Sequence, residues 1–189
     1  MPAAKATPRK PAAPKIARIY TLDVSLASAP VTTEFAKRNP VVSRTIEVRG
    51  TNTLDQLHEA IFRAFDRFDA HMYEFEFAES AMHPGGRRIG LPTSRYSPFS
   101  DPKDDPEDAL RTRIDSLYLG AGEAFGYLFD FGDEWWHRID VVSIEEKTAT
   151  GRYPRITQRV GESPPQYVDE EEWDEDDEAN SEEEAVDGE

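Results

Sequence analysis

One stretch of the chain, in which aromatic residues alternate with smaller or polar residues, limits the fold more than any other feature. It runs from Phe125 to Ile144 and reads FGYLFDFGDEWWHRIDVVSI. Alternation with a period of two is typical of strands that bury one face. Gly132 and Asp133 interrupt it with residues that favour turns. We therefore predict a β-hairpin with this turn between its two strands.

The register of the hairpin follows from burial, because a slip by one residue turns every side chain to the opposite face. A three-residue turn over 132–134 collects the apolar residues on one face. The predicted pairs are Phe131 with Trp135, Phe129 with His137, Tyr127 with Ile139 and Phe125 with Val141. In this register His137 lies among aromatic rings and Asp130 lies on the wetter face, which argues against a catalytic pair formed by these two residues.

The composition excludes several classes of protein. The chain has 189 residues and no cysteine, so disulfides, thiolate catalysis and cysteine-bound zinc are ruled out. No apolar run approaches the roughly 20 residues of a membrane span, and the amino terminus lacks the apolar segment of a signal peptide. We expect a soluble, cytoplasmic protein that does not enter a membrane.

The net charge of −16 is distributed unevenly along the chain. Residues 1–18 hold five Lys or Arg and no acid, whereas residues 162–189 hold fifteen Asp or Glu and no base, so the middle contributes −16 − 5 + 15 = −6. A domain of negative charge repels a phosphate backbone. We therefore expect a protein partner and no direct binding of nucleic acid.

The two ends have compositions that oppose folding. Residues 1–15 are rich in Ala, Pro and Lys, and acidic residues dominate after 168, with Trp173 as the large apolar residue. We predict a disordered basic tail over 1–15, a single domain over 16–167 and a disordered acidic tail over 168–189. The acidic tail either keeps the protein soluble or engages a basic surface of a partner or of this chain's own leader, with Trp173 as the anchor.

The clearest helix in the chain begins at a capping box formed by Thr53 and Gln56. It reads TLDQLHEAIFRAFDRF, and its apolar residues recur at helical spacing. Strands are predicted over 16–26 and 42–48 before this helix, and over 73–77 after it, where His71 introduces the strand. His58 lies at the edge of the apolar stripe, so we expect it at the surface or at the boundary of the core.

The segment 78–111 shows no periodic pattern, which predicts an irregular insertion or a mobile loop. Its sequence Gly85-Gly86-Arg87-Arg88 lacks the spacing of a phosphate-binding loop and predicts a turn with two solvated arginines. A last strand is predicted over 153–160. The resulting fold class is α+β, a mixed and largely antiparallel sheet with one long amphipathic helix packed on it, in the order β-β-α-β-(loop)-β-β-β.

Three pieces of the sequence together resemble the plasmid pRiA4b ORF-3-like family, whose members are often labelled insertion-element passenger proteins. The pieces are TLDQLHEAIFRAF leading into HMYEF, then FGYLFDFGDEWWHRI, then Tyr153-Pro154 with Pro164-Pro165. The resemblance runs from about 16 to 165 and implies a compact α+β domain without an established activity. The family's central pattern falls on Asp130, Phe131, Gly132, Asp133, Trp135 and His137, and the family's histidine before the third strand falls on His71.

The chain departs from the family's pattern at two places. Asp66-Arg67-Phe68 stands where many relatives carry a Gly-Trp pair. Gln166-Tyr167-Val168 stands where relatives tend to have an acidic residue and glycines. A site built from the second segment is therefore not implied for this chain.

The main functional hypothesis is a protein-interaction or adaptor module. The aromatic face of the hairpin and the irregular loop would present its surface, and the charged tails would modulate binding. This function needs no cofactor. An oligomeric scaffold that pairs through an exposed sheet edge is a further hypothesis.

The alternative function is a metal-dependent hydrolase that uses the cluster Asp130, Asp133 and His137, with His71 as a further member. Carboxylate and imidazole groups can bind a divalent cation or act as a base and its orienting partner. A purely structural interpretation puts Asp133 in backbone hydrogen bonds of the turn, Trp135 in the core, and His137 in the interior near His71.

Overall fold

The computed structural model describes residues 16–78, 85–95 and 101–167. The secondary structure elements are β1 (Ile16–Ser28), α1 (Thr33–Arg38), β2 (Ser43–Arg49), α2 (Leu54–Ala64), β3 (Tyr73–Phe77), β4 (Arg87–Gly90), β5 (Glu107–Asp108), β6 (Ala124–Phe129), β7 (Trp135–Thr148) and β8 (Arg155–Val160). Short 3₁₀ turns cover Thr93–Arg95 and Ile114–Leu117. The predicted tails over 1–15 and 168–189 lie outside the described residues.

The described strands form one eight-stranded sheet in the order β5-β4-β3-β6-β7-β1-β2-β8. Neighbouring strands are antiparallel, except that β4 and β5 run parallel. The two longest strands, β1 and β7, pair from Ile16 opposite Thr148 to Ser28 opposite Trp136. The aromatic hairpin formed by β6 and β7 therefore lies in the middle of the sheet.

The hydrophobic core lies between one face of this sheet and α2. Thr53 begins the helix as predicted, because its hydroxyl accepts from the Gln56 backbone N–H and the Gln56 side chain accepts from the Thr53 N–H, each at 3.2 Å. Buried apolar side chains come from both layers: Leu54, Leu57, Ala60, Ile61 and Ala64 from α2, and Leu22, Val24, Ile46, Val48, Phe75 and Ile139 from the strands. Each large side chain stabilises the fold by about 1.5–3 kcal/mol.

The predicted fold class is wrong in its balance of helix and sheet. Instead of a sheet with one long amphipathic helix, the chain forms an eight-stranded sheet with two short helices, α1 of six residues and α2 of eleven. Helix α2 ends at Ala64 rather than Phe68, because Asp66 adopts a left-handed backbone conformation with φ of 54°. Phe68, which the helical spacing placed on the apolar stripe, is 72% exposed. None of the described helices has the length and apolar character needed to cross a membrane.

Two unpredicted strands, β4 and β5, lie in the segment that showed no periodic pattern. The two arginines predicted to be solvated are paired instead. Arg87 donates from Nε and Nη2 to Glu107 at 2.6 and 2.7 Å, and Arg88 donates in the same way to Glu74 at 2.6 and 2.8 Å. Strands of four and two residues are too short to show a period, so their pairing partners were not visible in the sequence.

Within β6 and β7 the side chains have the predicted faces but not the predicted pairs. Phe129 pairs with Trp135 and Tyr127 with His137, so the connecting loop covers 130–134 rather than 132–134. Asp130 builds this longer loop: its carboxylate accepts from the Gly132 N–H at 3.0 Å, and its carbonyl accepts from the Glu134 N–H at 2.7 Å. A shift of two residues keeps every strand residue on its face, because side chains alternate with a period of two.

A buried arginine holds the carboxyl end of α2 against the sheet. Arg44 on β2 is 1% exposed and donates to the carbonyls of Ala64 at 2.8 Å and Val160 at 2.7 Å. Its Nη2 donates to the Ser163 hydroxyl at 2.9 Å. The carboxyl end of a helix carries partial negative charge, so a cation at this position is favourable.

We predict that Arg44→Met lowers the free energy of unfolding by about 2–4 kcal/mol, because the hydrogen bonds from the guanidinium to the Ala64 and Val160 carbonyls and to Ser163 are lost. Urea denaturation measures this change. The matched control is Arg138→Met, which removes an exposed guanidinium paired with Asp140 and should leave the free energy of unfolding unchanged. Equal stability of the two variants would contradict the role of Arg44.

Candidate functional site

A group of buried polar side chains lies under α2, against the aromatic hairpin. His58 stacks on Tyr73 with ring centroids 3.6 Å apart and planes 6° apart, and its Nδ1 lies 2.7 Å from the Tyr127 hydroxyl. The Tyr73 hydroxyl in turn donates to Asp55 at 2.8 Å. His58 is 8% exposed, so the prediction that it lies at the surface or boundary is wrong. Its site between two tyrosines depends on β3 and β6, which are distant in sequence.

His137 lies in the interior among aromatic rings, as predicted. It is 3% exposed, and the ring of Phe65 meets it edge-on with centroids 4.7 Å apart. Its Nδ1 donates to the Trp135 carbonyl at 3.1 Å, because a carbonyl oxygen can only accept. Its Nε2 is buried without a hydrogen-bond partner in the described part of the chain.

Burial keeps both of these histidines neutral. It lowers the pKa of His58 to about 3, and the charge of Arg63 adds to the effect. Burial also lowers the pKa of His137 to about 3, and the charge of Arg67 adds to it.

Arg67 enters the same region from the end of α2. Its guanidinium lies over the Trp135 ring, 3.5 Å from the centroid, and its Nη1 donates to the Pro164 carbonyl at 3.3 Å. The residue is 7% exposed, and burial lowers its pKa to about 10, so it stays charged at neutral pH. Its Nε and Nη2 and the Nε1 of Trp135 have no hydrogen-bond partner among the described residues.

Arg67 and His137 both line a small cavity. Rings of Phe62, Phe65, Tyr127 and Phe129 form most of its other walls. It offers about 10 Å³ to the centre of a water-sized sphere, which is room for about one water molecule.

Two segments distant in sequence close over this region, and we call them the clasp: residues 66–71 and residues 163–167. Gln166, 4% exposed, accepts from the N–H groups of Phe68 and Asp69 at 3.0 and 3.1 Å and donates to the Asp69 carbonyl at 2.8 Å. The hydroxyl of Tyr167 donates to the Asp69 carboxylate at 2.7 Å, and Ser163 donates to Asp66 at 2.5 Å. The second segment is one where the chain departs from the family's pattern, so this chain builds the clasp with its own residues.

His71 lies beside the clasp and contacts Asp130. Its Nδ1 is 3.3 Å from the Asp130 carboxylate, and its Nε2 is 2.9 Å from the Tyr167 hydroxyl. The prediction that Asp130 stays on the wetter face is wrong, because the residue is 7% exposed. Its left-handed backbone (φ 60°) at the end of β6 turns the carboxylate towards His71 instead of leaving it on the solvent face of the strand.

The predicted cluster is therefore divided among three places. His71 and Asp130 meet at the clasp, Asp133 is exposed on the hairpin loop, and Trp135 and His137 are buried under α2. No hydrogen bond or ring contact joins His71 to His137 within the described ranges. Those ranges also contain no group of three or more His, Asp or Glu side chains that could hold a metal ion.

Sequence reasoning missed Arg67 and Gln166 as members of this region. Arg67 was noted as a departure from the family's pattern, and its position near His137 follows only from the left-handed turn at Asp66. Gln166 lies 97 residues after Asp69, and no local pattern connects the two.

Comparison with known proteins places the chain among uncharacterised relatives. A family model described as "Plasmid pRiA4b ORF-3-like protein" matches residues 28–180. The uncharacterised protein y4hQ of Sinorhizobium fredii is 31% identical over 130 residues, which are 68% of this chain and 60% of that protein. The chain thus spans less than two thirds of the length of this relative.

A solved structure shows a similar fold. The crystal structure of a protein of unknown function from Methanosarcina mazei Go1 matches with a TM-score of 0.58 and 21% sequence identity, over 77% of this chain and 71% of that one. At this identity the likeness concerns the fold alone.

We predict that the two buried histidines make the protein less stable in acid. Their pKa values are about 3 in the folded chain and about 6.5 when unfolded, so below pH 6.5 the unfolded state binds more protons. Stability is full above that pH and falls as the pH drops towards 3, by up to about 1.4 kcal/mol per pH unit for each histidine.

Urea denaturation between about pH 5 and 7 measures this slope. His58→Gln and His137→Gln should each reduce it by up to one proton. Ile139→Val weakens the core but keeps both histidines, so it should preserve the slope. A slope in either histidine variant equal to that of the wild type would contradict the neutral, buried state of that histidine.

Proposed function

The chain belongs to the plasmid pRiA4b ORF-3-like protein family, and we propose that it acts as a protein-interaction module that binds a basic, proline-containing segment of a partner. One observation carries this proposal. Three aromatic side chains are exposed in this region, Phe68 and Tyr167 on the clasp and Phe131 on the hairpin loop, and the carboxylates of Asp69, Asp130 and Asp133 act on Tyr167. We call these three side chains the aromatic rim.

The surface differs from the one that the sequence suggested. The aromatic face of the hairpin is buried under α2, with Phe125, Tyr127 and Phe129 exposed by 5%, 1% and 2%. A partner cannot reach these rings without unfolding the core. The interaction surface of this proposal is therefore the rim beside the hairpin loop.

The three side chains of the rim are far more exposed than those of the core. Phe68, Phe131 and Tyr167 are 72%, 46% and 47% exposed, and the rings of Phe68 and Tyr167 meet edge to face with centroids 5.8 Å apart. Phe131 directly follows Asp130, which contacts His71, and His71 contacts Tyr167. Neighbouring exposed aromatic rings are typical of binding surfaces, whereas single exposed apolar residues are common everywhere.

The charge of the rim indicates the kind of partner. Exposed Asp69, Asp133 and Glu134 stand around it. The hydrogen bond to Asp69 raises the pKa of Tyr167 to about 12, and the negative charges of Asp130 and Asp133 contribute to this rise. A negatively charged surface favours a basic partner, because it speeds the approach of that partner and pairs with its charges in the complex.

The aromatic side chains indicate why the partner segment should contain proline. Proline-rich segments form extended helices without internal hydrogen bonds, and they dock on surfaces lined by aromatic rings at a low cost in entropy. The chain's own residues 1–15 have this composition, with four prolines and four Lys or Arg. A second copy of the chain is therefore one source of such a segment.

The clasp prepares the rim for binding. The three hydrogen bonds of Gln166 fix the backbone that carries Phe68, and Tyr167 is fixed by Asp69 and His71. A surface that is already ordered loses less entropy when it binds a partner.

The positions of the predicted residues do not favour the alternative, a metal-dependent hydrolase. It requires Asp130, Asp133 and His137 to act together, and His137 is buried under α2 while Asp133 is exposed on the hairpin loop. His71 instead contacts Asp130 through Nδ1 and the Tyr167 hydroxyl through Nε2, and in this way it orders Tyr167.

We predict that a displayed library of random peptides, selected on the full chain, yields sequences with net positive charge and proline. Phe68→Ser combined with Phe131→Ser should weaken binding of a selected peptide by at least about tenfold, because aromatic anchors carry much of the affinity at such surfaces. Fluorescence anisotropy with the labelled peptide measures the affinity, and added salt should lower it.

Val142→Ser provides the matched control, since Val142 is 57% exposed on β7 but lies outside the rim. This variant should bind as the wild type does. Selection of peptides without a preference for positive charge, or equal binding by the double variant, would refute the proposal.

A further inference from the structure

The cavity beneath α2 is lined by a buried positive charge, Arg67, that forms no ion pair among the described residues, although the charge of the Asp66 carboxylate acts on it from a greater distance. The guanidinium of Arg67 is more than nine-tenths buried, and its one hydrogen bond there goes to the neutral carbonyl of Pro164. The indole face of Trp135 offsets part of this charge. A buried charge that lacks a counter-ion destabilises a folded protein, so such groups usually have a partner.

The two unpartnered nitrogens of Arg67, Nε and Nη2, form one edge of the guanidinium, where their N–H bonds point in the same direction. Elsewhere in this chain the same edge binds anions. Arg87 uses Nε and Nη2 to hold the Glu107 carboxylate, and Arg88 uses them to hold that of Glu74. On Arg67 this edge is buried, and no carboxylate of the described residues hydrogen-bonds to it.

We propose that the cavity binds one compact inorganic anion of the size of chloride, held by the Nε–Nη2 edge of Arg67. The available space, about 10 Å³ to the centre of a water-sized sphere, admits a single particle and excludes phosphate or a carboxylate ligand.

The position of His137 places the anion on the arginine side of the cavity. Because Nδ1 of His137 donates to the Trp135 carbonyl, its Nε2 presents a lone pair when the ring is neutral. A water molecule could accept a hydrogen bond from Arg67 and donate one to this nitrogen, but it would place no negative charge beside the guanidinium. Water alone is therefore the competing occupant that the experiment must separate from an anion.

The bound anion also supports the clasp. Arg67 lies in the first segment of the clasp, and its stacking on Trp135 fixes that segment on the hairpin. Neutralising its charge stabilises the buried position of the side chain, and with it the backbone that presents Phe68. The anion site in the cavity is separate from the aromatic rim and does not depend on peptide binding there.

Thermal unfolding in sodium chloride and in sodium gluconate at equal ionic strength tests the proposal. Chloride should raise the midpoint of the wild type by about 2–4 °C and the effect should saturate, because the ligand binds the folded state. Arg67→Met should abolish the difference between the two salts. Arg63→Met, which removes an exposed arginine paired with Glu59 near the carboxyl end of α2, should retain it.

Crystals of the wild type grown in sodium bromide provide a test that does not require the variant to fold. An anomalous bromide peak in contact with Nε and Nη2 of Arg67 is the expected result. A water molecule at that position without a bromide signal, or a chloride effect that is equal in the wild type and in Arg67→Met, would overturn the proposal.

Discussion

The stacking of Arg67 on Trp135 is the contact that organises the candidate site of this molecule. The guanidinium lies 3.5 Å from the centre of an indole that is itself fully buried. It joins the segment after α2 to the start of β7, two parts of the chain that are about 70 residues apart. The turn at Asp66 places the arginine there, and the segment that follows carries Phe68, Asp69 and His71. The clasp and the aromatic rim both depend on this placement.

The interior under α2 combines apolar packing with polar groups in fixed positions. Asp55, Tyr73, His58 and Tyr127 follow one another through hydrogen bonds and a stacked ring pair. Each hydrogen bond satisfies a group that would otherwise lose its hydrogen bonds to water, so the arrangement favours one position of the helix over its alternatives. Arg44 fixes the carboxyl end of the same helix, because it donates hydrogen bonds to Ala64 of the helix, to Val160 of β8 and to Ser163 after that strand. The sheet thus holds α2 at both ends.

Local patterns in the sequence predicted the faces of the sheet but not the contacts between distant residues. The alternation of Tyr127, Phe129, His137 and Ile139 identified the buried face, and this conclusion survived an error of two residues in the register because the period is two. The capping box located the start of α2. The end of α2 was predicted too late, because the apolar spacing continues past Asp66 and does not reveal the left-handed turn there.

The candidate site was predictable only in part, because local patterns do not show which distant residues come into contact. His71 and Asp130 were identified from the family resemblance, and the structure brings them together. The burial of Arg67 and the role of Gln166 depend on a clasp between segments nearly 100 residues apart, which no spacing rule reveals. The paired arginines of β4 depend in the same way on Glu74 and Glu107, which other strands supply.

A double-mutant cycle on Arg67 and Trp135 tests the central claim most directly. The free energy of unfolding is measured by urea denaturation for the wild type, Arg67→Met, Trp135→Leu and the double variant. A desolvated stack of this kind should give a coupling energy of about 1–2 kcal/mol. Additive effects, with a coupling energy below about 0.5 kcal/mol, would show that the arginine does not hold the clasp on the hairpin.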